Sequence, residues 1–153
     1  MYIRTTMGKN GIDKSYIHNI QELERLNIPF GIYHYFRPNE TALNQFENFK
    51  KNNANFGTLT PTVDVEENSK FGNKYFKKEL SIFLKLIEQT YSIKPIIYTP
   101  QKFYNLYLWK DFQDYDFWIA RQHGIKKKPQ NNTIGKKPIL FGFKCPIIWQ
   151  YSG

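Results

Sequence analysis

The feature that most constrains the fold of this chain is a regular alternation of short β-like segments with amphipathic helical patterns. Strands that alternate with helices pair in parallel and are joined by right-handed crossovers, so the pattern predicts an α/β fold. Six segments have the composition and length of strands: YIRT at 2–5, FGIYHYF at 30–36, PTVDVE at 61–66, PIIYT at 95–99, DFWIA at 116–120 and PIIWQYS at 146–152.

Apolar residues at helical spacing separate most of these segments. The periodicity predicts helices over about 17–26 and 42–49, with a weaker one over 101–108 that begins after Pro100. The longest pattern has apolar residues that share one helical face: Phe76, Leu80, Phe83, Leu84 and Ile87.

Polar and aromatic side chains collect where the predicted strands end. In (β/α) barrels and in open parallel sheets, ligands bind at the carboxyl ends of the strands, so we expect the functional site there. No glycine-rich phosphate loop follows any strand, which argues against a nucleotide-binding fold. The residues concerned are His34, Tyr35, Asp64, Glu66, Tyr98, Thr99, Arg121, Gln150 and Tyr151.

The segment PTVDVEEN places two carboxylates, Asp64 and Glu66, two residues apart. If both lie in one strand they share a face. Inside a fold, two like charges held close together raise at least one pKa, which is the arrangement that acid–base catalysis uses. The alternative is an edge strand whose acids lie in water, and this segment alone does not decide between them.

Length and composition narrow the range of possible functions and partners. The 153 residues suit a single domain over 1–153, and the net charge of 22 − 13 = +9 predicts a polyanionic partner, either nucleic acid or a bacterial cell wall. Nucleic acid is disfavoured because no reader motif is present and the aromatic residues follow core patterns. We expect the single cysteine, Cys145, to be a buried hydrophobe, and no metal site, because the histidines lack convergent partners.

Two further features bear on location. No apolar run is long enough to span a membrane, and MYIRTTMG lacks the apolar core and cleavage site of a signal peptide. The irregular stretch 123–144, HGIKKKPQNNTIGKKP with its flanks, is long for a loop in a compact domain, so we expect it to be functional or mobile.

Several motifs resemble, in order and spacing, those of glycoside hydrolase family 25, the Chalaropsis-type lysozymes. They are YIRTTMG followed by Asp13, GIYHYFRP, PTVDVEE, KPIIYTP, DFWIAR and IIWQYSG. The resemblance implies an irregular TIM-like (β/α) barrel that hydrolyses the β-1,4 bond between N-acetylmuramic acid and N-acetylglucosamine in bacterial peptidoglycan. It implies no metal or organic cofactor, and an extracellular or wall-directed role.

The resemblance also assigns residues. The family's DxE motif falls on Asp64 and Glu66. It implies that Glu66 is the general acid and that Asp64 stays charged, either supporting attack by the substrate's own N-acetyl group or acting as the nucleophile. Substrate-contacting positions of the family match Tyr33, Tyr35, Tyr98, Trp149 and Gln150, with core packing as the alternative for Tyr35 and Trp149. His34, on the other strand face, is expected to pack toward a helix.

Relative to the family pattern, the first and last strands have no counterpart in this sequence. We therefore expect an incomplete barrel: an open, six-stranded sheet in a monomer, with exposed strand edges available for pairing. Without those strands the acid pair loses part of its surroundings. The alternative function is an inactive remnant of the same fold that binds cell-wall glycan without cleaving it.

Overall fold

The computed structural model describes residues 1–53, 56–121 and 137–151. The strands in these segments are β1 (Tyr2–Met7), β2 (Gly11–Ile12), β3 (Gly31–Tyr35), β4 (Thr62–Asp64), β5 (Ile96–Pro100), β6 (Phe117–Ala120) and β7 (Ile148–Gln150). The helices are α1 (Tyr16–Arg25), α2 (Ala42–Asn52), α3 (Asn73–Tyr91) and α4 (Gln101–Phe103), which continues into a π-helical turn (Tyr104–Leu108); a 3₁₀ turn covers Phe141–Phe143.

The strands form one sheet in the order β2-β1-β3-β4-β5-β6-β7. All six predicted strands are present and parallel to their neighbours, as the alternation predicted. The seventh, β2, pairs antiparallel with the end of β1 and was missed, because two residues are too few to show an alternating pattern. In the described part of the chain β2 and β7 are the sheet's two edges, so the barrel is open, as expected for an incomplete TIM-like barrel.

The convex face of the sheet carries the main apolar core. The apolar stripe of α3 is fully buried, which confirms the helix predicted from its periodicity. Aromatic rings from β3, α2 and α3 meet there; His34, for example, lies 4.7 Å from Phe83 and 5.9 Å from Phe49 between ring centroids. This packing fixes β3 and β4 against the helices and so positions the ends of these strands.

His34 belongs to this core. Its ring nitrogens lie 2.8 Å from the Thr6 hydroxyl and 3.3 Å from the Gln45 side-chain oxygen, and complete burial lowers its pKa to about 4. A neutral imidazole that joins β1, β3 and α2 is a structural element, as the sequence predicted.

The concave face carries polar and aromatic side chains. Tyr35, Asp64, Tyr98 and Trp118 are register partners on successive strands from β3 to β6, and partners in adjacent strands point to the same face. The sheet curls enough for Tyr2 of β1 to reach Trp118 of β6, with ring centroids 5.1 Å apart. The concave face therefore forms a cleft, with side chains of β1 on one side and of β6 on the other.

Three expectations need correction or qualification. The strand predicted over 61–66 ends at Asp64, so Glu66 follows it instead of lying within it. Cys145 is exposed, not buried, because the segment before β7 runs over the surface. Most of the irregular stretch 123–144 lies outside the described residues, which resume at residue 137. Lys126, Lys127 and Lys128 belong to this undescribed part.

Candidate active site

A cleft of about 300 Å³ occupies the concave face of the sheet. It contains five of the seven site residues predicted from the sequence, four on strands β3, β4, β5 and β7 and one, Glu66, two residues past the end of β4. The lining residues are Tyr2, Tyr33, Thr62, Asp64, Glu66, Tyr98, Trp118 and Gln150.

Strand register brings the acid pair to the middle of this cleft. Asp64, at the end of β4, stands between Tyr35 of β3 and Tyr98 of β5. Just past the end of β4 the backbone is still hydrogen-bonded to β5, because the Val65 N–H donates to the Tyr98 carbonyl at 2.9 Å. Glu66, two residues after Asp64, therefore lines the same cleft although it lies outside the strand.

The two carboxyl groups differ sharply in exposure. Asp64 is 8% exposed and Glu66 is exposed. Burial, followed by the charge and hydrogen bond of Glu66, raises the pKa of Asp64 to about 8, while the positive charge of Arg4 acts in the opposite direction. Within the described residues, Oδ1 of Asp64 has no hydrogen-bond partner.

Burial therefore favours the protonated form of Asp64, and the negative charge of Glu66 acts in the same direction. The sequence shows only the spacing of the two acids, while the sheet decides that Asp64 is the one that loses its water. The assignment of Glu66 as the general acid and of Asp64 as the charged partner stays a prediction.

Arg4 stands near the acid pair and is held by Asp13. Its guanidinium donates to Asp13 Oδ2 at 3.1 Å, and Oδ1 of Asp13 accepts the N–H of Ser15. Another arginine of this region, Arg37, does not line the cleft; its guanidinium lies 3.3 Å from the sulfur of Met7. Among the described residues, no cluster of three or more His, Cys, Asp or Glu side chains is arranged to hold a metal ion.

Comparison with known proteins identifies the family. The sequence model for glycosyl hydrolases family 25 matches residues 1–153. The chain belongs to this family.

Relatives of this family 25 chain agree with the assignment. A family 25 glycosyl hydrolase from Bacillus anthracis superposes with a TM-score of 0.81 at 26% identity, over 99% of this chain and 67% of that one. A bacterial lysozyme from Streptomyces coelicolor has the same fold, with a TM-score of 0.80 at 22% identity, over 99% of this chain and 71% of that one.

A curated relative, the uncharacterised protein YegX of Escherichia coli K12, is 32% identical over 152 residues, which are 99% of this chain and 52% of that protein. The chain spans about half the length of the curated relatives that it matches.

Two tyrosines complete the polar surface of the family 25 cleft. Burial raises the pKa of Tyr33, and burial together with the charges of Glu66 and Asp64 raises that of Tyr98 to about 12. Both phenols are therefore neutral across the physiological range and can donate or accept hydrogen bonds.

Two predicted site residues lie outside this cleft. Tyr35 lines an adjoining cavity and donates its hydroxyl to Glu67 at 2.9 Å; burial and then Glu67 raise its pKa, with smaller contributions from the charges of Asp64 and Glu66. Trp149 alternates with Gln150 on β7 and so points to the other side of the sheet, where its ring lies 6.0 Å from that of Tyr151. Their contact with sugar stays an untested prediction.

Sequence reasoning missed three residues of the cleft: Tyr2, Thr62 and Trp118. Thr62 lies two residues before Asp64 on β4, so the period of two along a strand was the available signal for it, whereas Tyr2 and Trp118 are brought to the cleft by the neighbouring strands. Trp118 packs against Tyr98 with ring centroids 5.2 Å apart, and its indole nitrogen has no hydrogen-bond partner among the described residues.

Proposed function

We propose that this family 25 chain is a lysozyme that hydrolyses the β-1,4 bond between N-acetylmuramic acid and N-acetylglucosamine in bacterial peptidoglycan. The observation that carries the proposal is the acid pair: a buried Asp64 hydrogen-bonded to a solvent-accessible Glu66, in a cleft with neutral phenols and an indole ring. Two carboxyl groups that share one proton provide the acid and the charge that glycoside hydrolysis needs.

Glu66 is the general acid in this account, because a proton donor must reach the glycosidic oxygen and Glu66 is the exposed member of the pair. A sugar bound over Glu66 displaces the water around its carboxyl group. The proton then moves from Asp64 to Glu66 along their hydrogen bond. Binding of the glycan thus produces the charge distribution that the chemistry requires.

The bond-breaking step follows from that distribution. Glu66 gives its proton to the glycosidic oxygen as the bond from the muramic acid C1 to that oxygen breaks. The carboxylate of Asp64 stabilises the positive charge that develops, either on an N-acetyl group attacking C1 or by bonding to C1 itself. Glu66, now a carboxylate, takes a proton from the water that attacks C1, and the pair regains its single proton.

The remaining cleft residues bind the glycan. Trp118 offers an apolar ring face to a sugar, and Tyr33, Tyr98 and Gln150 offer hydrogen-bonding groups around it. A site of this kind acts at the bacterial cell wall, so we propose a wall-directed location. None of the helices in the described segments is long and apolar enough to cross a membrane.

A second candidate is glycan binding without cleavage. The observation that favours it is the exposure of Glu66 in an open sheet, because a general acid is more effective when it is kept out of water. In that case the cleft holds glycan while the proton stays on Asp64.

Turbidity of a peptidoglycan suspension distinguishes the two candidates. Hydrolysis predicts clearing by the chain, loss of at least about a hundredfold in rate for Glu66→Gln, and an unchanged rate for the control Glu47→Gln, an exposed acid on α2. No clearing by a folded chain that still sediments with peptidoglycan supports binding alone. Full activity of Glu66→Gln excludes Glu66 as the general acid.

A further inference from the structure

A second cavity of about 520 Å³ lies beside the acid cleft, at the carboxyl ends of β5 and β6. We name it the Phe141 cavity. The lining residues that matter here are Pro100, Gln101, Lys102, Leu106, Arg121 and Phe141.

The Phe141 cavity adjoins the acid cleft along the sheet. Pro100 follows Tyr98 on the same face of β5, and Ala120, which also lines the cavity, is the register partner of both Pro100 and Gln150. Because Tyr98 and Gln150 line the acid cleft, the lining residues of the cavity are the next ones along these strands.

The lining of the Phe141 cavity combines positively charged side chains with apolar surface. Lys102 and Arg121 contribute two positive charges, and no carboxylate is among the lining residues. No salt bridge of Lys102 or Arg121 occurs within the described residues; Arg121 donates one bond, to the Lys137 carbonyl, and keeps further donors. Leu106 and Phe141 present apolar surface, at 59% and 52% exposure.

The exposed ring of Phe141 is held in place by its backbone. The Phe141 N–H donates to Asn105 Oδ1 at 2.9 Å, and the Tyr104 hydroxyl donates to the Phe141 carbonyl at 3.1 Å. Asn105 also donates to the Ile139 carbonyl at 3.0 Å. Asn105 and Tyr104 lie in the π-helical turn, a feature that often marks functional sites. Two hydrogen bonds hold the backbone of Phe141 and a third holds that of Ile139 two residues earlier, so this segment presents the large apolar side chain of Phe141 at a defined place on the surface, where it can contact a ligand.

One polar group in the cavity lacks a partner. The side-chain oxygen of Gln101 is buried and, among the described residues, accepts no hydrogen bond. A buried acceptor of this kind is costly unless a donor arrives, and a peptide N–H is such a donor.

We propose that the Phe141 cavity binds the acidic stem peptide carried by the sugar in the adjoining cleft. Its carboxylates pair with Lys102 and Arg121, its alkyl side chains lie on Leu106 and Phe141, and one of its amides donates to Gln101. This inference rests on the proposed function, since it names the substituent that the substrate must carry next to the acid pair.

The test is direct binding in the Glu66→Gln variant, so that turnover does not consume the probe. The probes are soluble uncross-linked glycan fragments of two disaccharide units bearing stem peptides, and the same fragments after an amidase has removed the peptides. We expect about tenfold tighter binding of the peptide-bearing fragment, which Lys102→Glu reduces about five- to tenfold and Leu106→Ser also weakens. Binding of the peptide-free fragment stays unchanged in both variants.

The matched control is Lys85→Glu, which makes the same charge change on an exposed position of α3 and should affect neither probe. Equal affinity for the two fragments, or equal effects of Lys102→Glu and Lys85→Glu, would overturn the inference while the acid cleft stands. If neither fragment binds to the folded protein, the proposed function fails and the inference fails with it.

Discussion

Asp64 and Glu66 are two residues apart, yet the fold gives them opposite environments. The neighbouring strands cover Asp64, and burial raises its pKa to about 8, while Glu66 lies past the end of the strand and is exposed. In the proposed mechanism the proton that burial favours on Asp64 is needed on Glu66, so we expect the pair to respond to ligand binding.

The first prediction concerns the cost of this arrangement to stability. Between pH 3.8 and about 8 the folded protein keeps a proton on Asp64 that the unfolded chain releases. The stability contributed by this proton is complete below that window and is lost as the pH rises through it. Asp64→Asn, which mimics the protonated acid, should therefore raise the free energy of unfolding by about 2 kcal/mol at pH 8 while lowering activity.

Chemical denaturation at pH 8 and at pH 3.5 measures this difference. The gain should nearly vanish at pH 3.5, where the wild-type Asp64 is protonated in the folded state and largely protonated in the unfolded one. Asp114→Asn, at an exposed position, serves as the matched control and should change stability at neither pH. A stability gain from Asp64→Asn that is equal at both pH values would show that burial does not hold a proton on Asp64.

At the scale of elements, the N-terminus of α2 depends on a side chain from another helix. Thr41 precedes α2 but makes no capping bond with its side chain. Instead Glu79 of α3, itself 7% exposed, accepts the Ala42 N–H at 2.7 Å. A carboxylate at a helix N-terminus satisfies a free N–H and interacts favourably with the helix dipole, so this bond ties α2 to α3.

The second prediction follows from that bond. Glu79→Ala leaves the buried Ala42 N–H without a partner and should lower the free energy of unfolding by about 2 to 3 kcal/mol. Glu79→Gln keeps an acceptor and loses only the charge, so its loss should be about 1 kcal/mol or less. Urea denaturation measures both, with the exposed Glu47→Ala as control. Equal losses for the two substitutions at Glu79 would contradict a capping role.

The strands and helices show which parts of the fold can be predicted from the sequence. Six strands and the apolar face of α3 follow from periods of two and about four, because burial of one face imposes those periods. The two-residue β2 has no period to detect, and the Glu79 contact joins residues 37 positions apart with no local signal. Motif order predicted Asp64, Glu66, Tyr33, Tyr98 and Gln150, and the structure places them in one cleft. Trp118 joins them as the register partner of Tyr98, a relation between strands that the sequence does not show.

For the whole molecule, charge and topology agree with a wall polymer as substrate. A net charge of +9 favours an anionic matrix, whereas the acid pair lies inside the cleft. The sheet of the described residues has two free edges, and its open concave face gives a polymer access to Asp64 and Glu66. Whether the protein is a monomer with these edges free stays a prediction that sedimentation analysis checks.

The measurement that tests the account most directly is the identity of the reducing ends released from purified peptidoglycan. Borohydride reduction of the soluble products, followed by sugar analysis, labels the residue at each new end. The account predicts new N-acetylmuramic acid ends from the chain and none from a folded Glu66→Gln variant. New N-acetylglucosamine ends, equal release by Glu66→Gln, or no release by a folded chain would contradict it.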